Sequence, residues 1–214
     1  LPEIGEVEPA GASADARLRR RVALGVSGRV GRVLRAGVDP GRVEHELVGA
    51  PRLVPALDAA ALPETALCEK YLTPDIDALS VDWGDFISPS VRSPWAWLNP
   101  PYSDIGPWVE KAIEQQGRGI GTVMLVPQDT STEWYPGMRA SEVRHITGYH
   151  DANGKWRNGR VSFINKATGQ EMKGNPKGSM ILIFAPGWRG NCRIRDVSKL
   201  TLLLAGAEPI SAAA

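Results

Sequence analysis

The sequence predicts an α/β protein with a mostly parallel sheet that ends in an antiparallel hairpin. Short apolar runs alternate with helical patterns between residues 53 and 127, as in strand–helix–strand units. The run Thr122-Val123-Met124-Leu125-Val126 is apolar almost throughout, as a strand covered on both faces must be. Two later runs, 159–165 and 178–185, flank a polar, Gly-rich stretch and read as paired strands.

Taken in order, residues 1–52 are rich in Pro, Gly, Ala and Arg and hold no Phe, Trp or Tyr. They carry nine arginines and no lysine, with Arg19, Arg20 and Arg21 consecutive. A short amphipathic helix is predicted over 12–24. Beyond it Val and Leu alternate with Arg and Gly too loosely for a strand. A DNA-facing arm, its arginines on phosphates, and a weakly ordered leader both fit this composition. Residues 53–60 predict a short buried strand that ends in Asp58 and small residues. Residues 63–70 predict a helix with Pro63 in its first turn. Residues 71–75 and 77–83 follow as two short elements, and 95–98 is a strand. Over 105–116 Trp108, Val109, Ala112 and Ile113 share one helical face, with Glu110, Lys111 and Glu114 on the other. Residues 119–127 are a buried strand, a helix is predicted after Thr130, and 142–147 is a strand. The predicted division is a leader over 1–52, a main domain over 53–190, and a weakly ordered tail over 191–214.

Composition narrows the function. The 214 residues suffice for one domain with a real core. A formal net charge of +1 marks no particular partner. Two cysteines make no disulfide framework, and His45, His145 and His150 lack metal-ligand spacing, so no metal is expected. No apolar run of transmembrane length occurs, and the first residues lack a signal-peptide pattern. The expected location is the cytosol of a bacterium or of a phage-infected host.

The densest signal is Trp95-Ala96-Trp97-Leu98-Asn99-Pro100-Pro101-Tyr102. An apolar strand ends in an amide, two prolines and an aromatic ring. Each proline fixes φ and pushes the residue before it out of the helical region. The bend is therefore stiff. The Asn99 side-chain oxygen and the Pro100 carbonyl become fixed acceptors that match the two N–H donors of an exocyclic amine. Tyr102 offers a flat face for a heteroaromatic base. Such a bend favours group transfer to nitrogen from an activated donor, by placement and electrostatics. In parallel sheets ligands sit at the carboxyl ends of strands. Asp58, Asp75, Asp77, Asp82 and Asn99 all fall at or just after predicted strand ends, where one rim can gather them.

From Leu57 to Pro186 the chain resembles the phage-type DNA N6-adenine methyltransferases, the Dam-like phage family. The matching words are Leu57-Asp58-Ala59-Ala60, Leu67-Cys68-Glu69-Lys70-Tyr71-Leu72-Thr73-Pro74, Asp77-Ala78-Leu79, Asp82-Trp83, Asn99-Pro100-Pro101-Tyr102-Ser103, the stretch from Ile105 to Ala112, Met124-Leu125-Val126-Pro127, Asp129-Thr130-Ser131-Thr132 and Gly178-Ser179. The resemblance implies a Rossmann-like methyltransferase fold, S-adenosyl-L-methionine as methyl donor, and adenine N6 in double-stranded DNA as acceptor. On that implication Asn99 and Pro100 accept the N6 hydrogens, Pro101 stiffens the bend, and Tyr102 stacks on an adenine swung out of the duplex. Asp58, with Ala59 after it, lies near the donor's amino-acid part. Asp77 and Asp82 are alternatives for its ribose or adenine, and Asn99 borders the donor as well. Where a glycine-rich loop is expected after the first strand, Ala59-Ala60-Ala61-Leu62-Pro63 stands instead.

Arg157, Arg160, Lys166, Lys173 and Lys177 cluster around the late hairpin, with Trp156 at the head of the group. Basic residues interleaved with an aromatic suit phosphate contact plus stacking or wedging; a solvated loop has the same composition. Trp134 and Tyr135 are placed either beside the target base or in the core. Two other readings stay open: a catalytically silent DNA- or partner-binding protein on the same fold, and a methyltransferase acting on RNA or on a protein glutamine.

Overall fold

The computed structural model describes residues 55–161 and 177–202 in full, and the backbone of 163–164 and 171–172. The helix expected over 12–24, the Arg-rich arm, Lys166 and Lys173 lie outside the described residues.

Among the described residues eleven strands and one long α-helix form, and a further helix begins at 199–202. In chain order the strands and the long helix are β1 (Leu57–Asp58), β2 (Lys70–Tyr71), β3 (Trp95–Leu98), α1 (Gly106–Gly117), β4 (Gly121–Pro127), β5 (Glu142–Thr147), β6 (Tyr149–His150), β7 (Trp156–Arg157), β8 (Phe163–Ile164), β9 (Glu171–Met172), β10 (Ser179–Phe184) and β11 (Arg193–Ser198). Seven of them make one sheet in the order β11-β5-β10-β4-β3-β1-β2. The β2–β1, β1–β3, β3–β4 and β5–β11 pairs are parallel. Only β10 runs the other way, between β4 and β5. The α/β class with a mostly parallel sheet is as the sequence predicts.

Strand alternation explains why both faces are covered. Ala96 and Leu98, Met124 and Val126, and Met180, Leu182 and Phe184 point to the face that α1 covers with Val109 and Ala112. Trp95 and Trp97, Val123 and Leu125, and Ile181 and Ile183 point to the other, with Leu67, Val161 and Leu202 packed on them. Helix α1 carries Pro107 in its first turn, where a missing N–H is harmless. Two residues past its end Gly119 takes φ +89°, a left-handed conformation that turns the chain into β4.

Four local expectations are corrected. The run 178–185 does not pair with 159–165: β10 is drawn into the main sheet between β4 and β5, and β8 pairs with β9 instead. The stretch 63–70 holds a turn and bends that lead into β2 at Lys70, not a helix. Thr65 Oγ1 accepts from the Leu62 N–H at 3.0 Å and donates to the Leu62 carbonyl at 3.2 Å, while the Asp58 carboxylate captures the Leu67 N–H at 3.0 Å. These side chains compete with helical bonding. After Thr130 a similar competition prevails: Asp129 accepts from both the backbone N–H and the hydroxyl of Ser131, at 3.2 and 2.7 Å. Lys111, expected on the outer face of α1, is 6% exposed and donates to both Glu114 carboxylate oxygens at 3.2 and 3.1 Å. Beyond Arg189, where the sequence carries little pattern, the chain adds β11 as an edge strand paired with β5.

Candidate active site

The strand order places a topological switch between β1 and β3. From β1 the chain crosses to β2 on one side, and β3 then pairs on the other. Crossovers that leave in opposite directions open a crevice above the carboxyl ends of those two strands, where ligands of such sheets bind. Residues 59–61 follow β1 there, and Asn99, Pro100, Pro101 and Tyr102 follow β3.

The prolines end the β3 ladder and bend the chain along this rim. Pro100 is buried, Asn99, Pro101 and Tyr102 are half-buried, and Ser103 and Asp104 are exposed. The bend thus sits at the mouth of the sheet. The Tyr102 hydroxyl folds back and donates to Asn99 Oδ1 at 3.2 Å. Burial pushes the Tyr102 phenol well above its ordinary pKa, so it stays a protonated donor at neutral pH. An amide oxygen has two lone pairs, so Asn99 keeps acceptor capacity beyond this bond. The orientation that Tyr102 gives the Asn99 amide has no signature in the sequence beyond the three-residue spacing.

Asp58 is 2% exposed, and its carboxylate takes the N–H of Leu67 at 3.0 Å and of Ala60 at 3.4 Å. It shapes the loop after β1 in the absence of glycines. Ala59 and Ala61 are buried beside it, and the Ala61 N–H bonds the Leu72 carbonyl just after β2. Asp75 and Asp77 are exposed in the turns that follow β2. Asp77 holds a left-handed φ of 50°, and its carbonyl accepts from the N–H and hydroxyl of Ser80, both at 2.9 Å.

Asp82 is not brought to this rim. It caps the short 3-10 turn Trp83–Phe86 through the Gly84 N–H at 2.9 Å and pairs with Arg118 at the end of α1, where the chain is about to enter β4 from below. The Gly84 N–H and the Arg118 guanidinium hold its carboxyl below the usual aspartate range. The reason is local: residues 77–83 form turns rather than a strand, so the acid at their end does not mark a carboxyl rim.

Trp156 and Arg157 form β7, paired with β6 in a hairpin that leaves the carboxyl end of β5, and Arg160 is exposed just beyond. That end lies on the same rim as Asn99, because β5 and β3 point the same way. Trp134 and Tyr135 pack against the core on the α1 side, Trp134 beside Gly106. The rim also holds a group that the strand-end rule applied to Asp58 would have found: Asp129, two residues past β4. Its carboxylate binds Lys177 Nζ at 2.6 Å, just before β10. Lys177 and Ser131 together depress its pKa to about 2. Among the described residues no three His, Cys, Asp or Glu side chains form a group suited to a metal, and no helix is long and apolar enough to cross a membrane.

Sheet, switch point and diproline bend define the class: an α/β protein whose architecture is compatible with the methyltransferase fold. The chain belongs to the DNA N-6-adenine-methyltransferase (Dam) family, which matches residues 54–208. It is 39% identical over 134 residues to the DNA N-6-adenine-methyltransferase of Escherichia phage T1, covering 60% of this chain and 53% of that protein. It is 33% identical over 133 residues to the DNA N-6-adenine-methyltransferase of Haemophilus phage HP1 (strain HP1c1), covering 61% of this chain and 66% of that protein. The match thus spans between about half and two thirds of the length of these curated relatives. The family resemblance read in the sequence is borne out.

Proposed function

We propose that this chain transfers a methyl group from S-adenosyl-L-methionine to the N6 amine of adenine in double-stranded DNA. The observation that carries the reading is the Asn99-Pro100-Pro101-Tyr102 bend at the carboxyl rim, beside the switch point. Family membership and the two phage relatives support it.

The rim has the chemistry to hold such a donor. Ala59 and Ala61 keep the wall after β1 small, the Asp58 carboxylate locks that wall through backbone N–H groups, and Asp77 lies exposed after the neighbouring strand, where hydroxyls of a ribose suit a carboxylate. Asp82 has no part in the proposal. When bound, the donor supplies an activated methyl on a sulfonium. The chain's own residues do the rest. Asn99 Oδ1 and the Pro100 carbonyl accept hydrogen bonds from the two N6 N–H groups, so electron density builds on the nitrogen as its new bond to the methyl carbon replaces the carbon–sulfur bond, and one N6 proton then passes to solvent. Among the described residues nothing donates to the Pro100 carbonyl, which leaves it available. Pro101 holds the bend rigid, and Tyr102 presents its ring to the adenine while its hydroxyl keeps Asn99 aimed. Because a stacked adenine cannot reach this rim, the base must leave the duplex. Trp156, Arg157 and Arg160, with Lys166 beyond the described residues, are the proposed DNA contacts: the cations for phosphates, the tryptophan for bases.

Expression in a host that lacks adenine methylation, followed by mapping of modified bases, tests this directly. N6-methyladenine at a recurring short sequence is the expected result. Genomic DNA without it, while the purified protein methylates RNA or a protein amide, would give the acceptor to one of those classes.

A further inference from the structure

Of seven tryptophans, Trp156 stands apart. Trp83, Trp95 and Trp97 are fully buried and Trp108, Trp134 and Trp188 half-buried, whereas Trp156 is 58% exposed. An exposed indole is usually mobile; this one is held. His150 faces it across the β6–β7 ladder, edge to face, with ring centroids 5.0 Å apart and planes at 64°. On its other side the ring lies against the backbone of Gly148: a Cβ there would meet Trp156 Cζ2 at 2.4 Å. The turn between the two short strands is closed by Asp151, which accepts from the N–H of Asn153 and of Lys155 at 3.0 Å each and pairs with Arg157 Nε at 2.8 Å. Gly154, at φ +73°, completes it. The hairpin is thus a rigid mount for one flat apolar ring, flanked by the exposed cations Lys155 and Arg160.

Its position gives the ring a task. In the order β3-β4-β10-β5, the hairpin's root is three strand spacings from the strand that carries Asn99, about 14 Å along the rim. That is on the scale of a duplex half-width, the path an adenine travels when it swings from the stack into a pocket. A duplex seated on this rim with its adenine at Asn99 would extend toward the hairpin that carries Trp156. Apolar side chains that enter a base stack offset the unstacking and unpairing of the base that leaves.

We propose that Trp156 is a wedge: it enters the duplex where the target adenine leaves and holds the gap open. The proposal rests on the DNA-methylation reading above. It makes Trp156 a positioning residue for the base, acting on the population of extruded adenine rather than on attachment to phosphates.

The probe is native genomic DNA from a host lacking adenine methylation. For Trp156→Ala the methylation rate at saturating DNA is expected to fall roughly 10- to 100-fold, the range of a lost stacking contact, with DNA affinity at low salt changed less than about threefold. Trp156→Phe, which keeps a flat ring, should recover most of that loss. Native DNA should also quench part of the wild-type tryptophan emission, and Trp156→Phe should lack that part. An unchanged rate in Trp156→Ala overturns the wedge. So does a loss of rate matched by an equal loss of affinity, or identical quenching in the wild type and Trp156→Phe. Absence of any methyl transfer by the wild type overturns the underlying reading instead, and quenching alone then decides whether the ring enters the stack.

Discussion

The two ends of the sheet are built differently. At the amino end the polar groups face one another inside the fold, although Trp95 Nε1, Gln115 Nε2 and Thr122 Oγ1 are buried there without a hydrogen-bond partner among the described residues. Ser141 Oγ takes the Ala185 N–H at 2.6 Å, and Gln116 Nε2 bridges Ser141 Oγ and the Ala185 carbonyl at 3.1 and 2.8 Å. Glu142 is fully buried, with Arg144 at 2.5 Å, Arg193 at 3.4 Å and Arg195 at 3.9 Å around its carboxylate. Asp82 and Arg118 close the neighbouring corner. At the carboxyl end the polar groups near the switch point are oriented but not used up. Asn99 has one partner, itself part of the bend, and the Pro100 carbonyl has none among the described residues. The two ends thus differ in what they face: at one end charged and polar side chains pair within the fold, and at the other Asn99 and the Pro100 carbonyl keep acceptor capacity, which the proposed reaction would use.

Substitution at either end should therefore damage different things. The largest effect is expected for Asn99→Ala. Loss of one preorganised acceptor for the amine should reduce turnover by about 10³-fold, equivalent to about 4 kcal/mol of transition-state stabilisation. Urea denaturation should be nearly unchanged and donor binding retained in calorimetric titration. Near-normal methylation by this variant would remove Asn99 from the chemistry. At the opposite end Glu142→Ala leaves Arg144 and Arg193 facing each other without their shared carboxylate. Stability should drop by about 3 kcal/mol, in the range for breaking a buried ion pair, while kcat measured under folding conditions stays near the wild-type value. A denaturation midpoint that does not move would show the cluster to be ornamental, and a fall in kcat without a fall in stability would erase the distinction between the two ends.

The sequence made some of this architecture legible and hid the rest for definable reasons. β4 and α1 are legible because a long apolar run and a 3.6-residue period specify them locally, and β3 because four apolar residues end at the prolines. The switch-point bend was readable because proline acts through covalent geometry, which no tertiary contact overrides. β10 was located but given the wrong neighbour: strand pairing is a long-range choice, and an apolar run buried on both faces fits any slot in the sheet. Helices expected over 63–70 and after Thr130 failed where Thr65, Asp58 and Asp129 captured backbone N–H groups, a competition that propensity cannot rank. Asp82 was misplaced because an acid after a short segment looks alike whether it ends a strand or caps a turn. β11 is hard to read because its Arg193, Arg195 and Asp196 look like a solvated stretch, although after folding the two arginines meet the buried Glu142 carboxylate and Asp196 meets His145.

Asp129 and Lys177 run against the comparison, as Asp151 and Arg157 do in the hairpin beyond β5: they are an ion pair at the carboxyl end, and they set its smallest test. The pair joins the turn after β4 to the entrance of β10, next to the strand that carries Asn99. Lys177 and Ser131 lower the Asp129 pKa to about 2, against about 3.9 in an unfolded chain. A depressed carboxyl contributes its stability in full above the unfolded value and loses it as pH falls through the folded one. The contribution should therefore be constant from neutrality down to about pH 4 and vanish toward pH 2. Solvent and salt screen so open a pair, so the wild type should exceed Asp129→Asn in urea denaturation only slightly at pH 6, and less at high ionic strength. Carboxyl carbon resonances followed by NMR from pH 6 downward should show the Asp129 signal still ionised near pH 3. If that carboxyl titrates like an ordinary aspartate, Lys177 is not bound to it in solution, and the turn after β4 loses its tie to the entrance of β10.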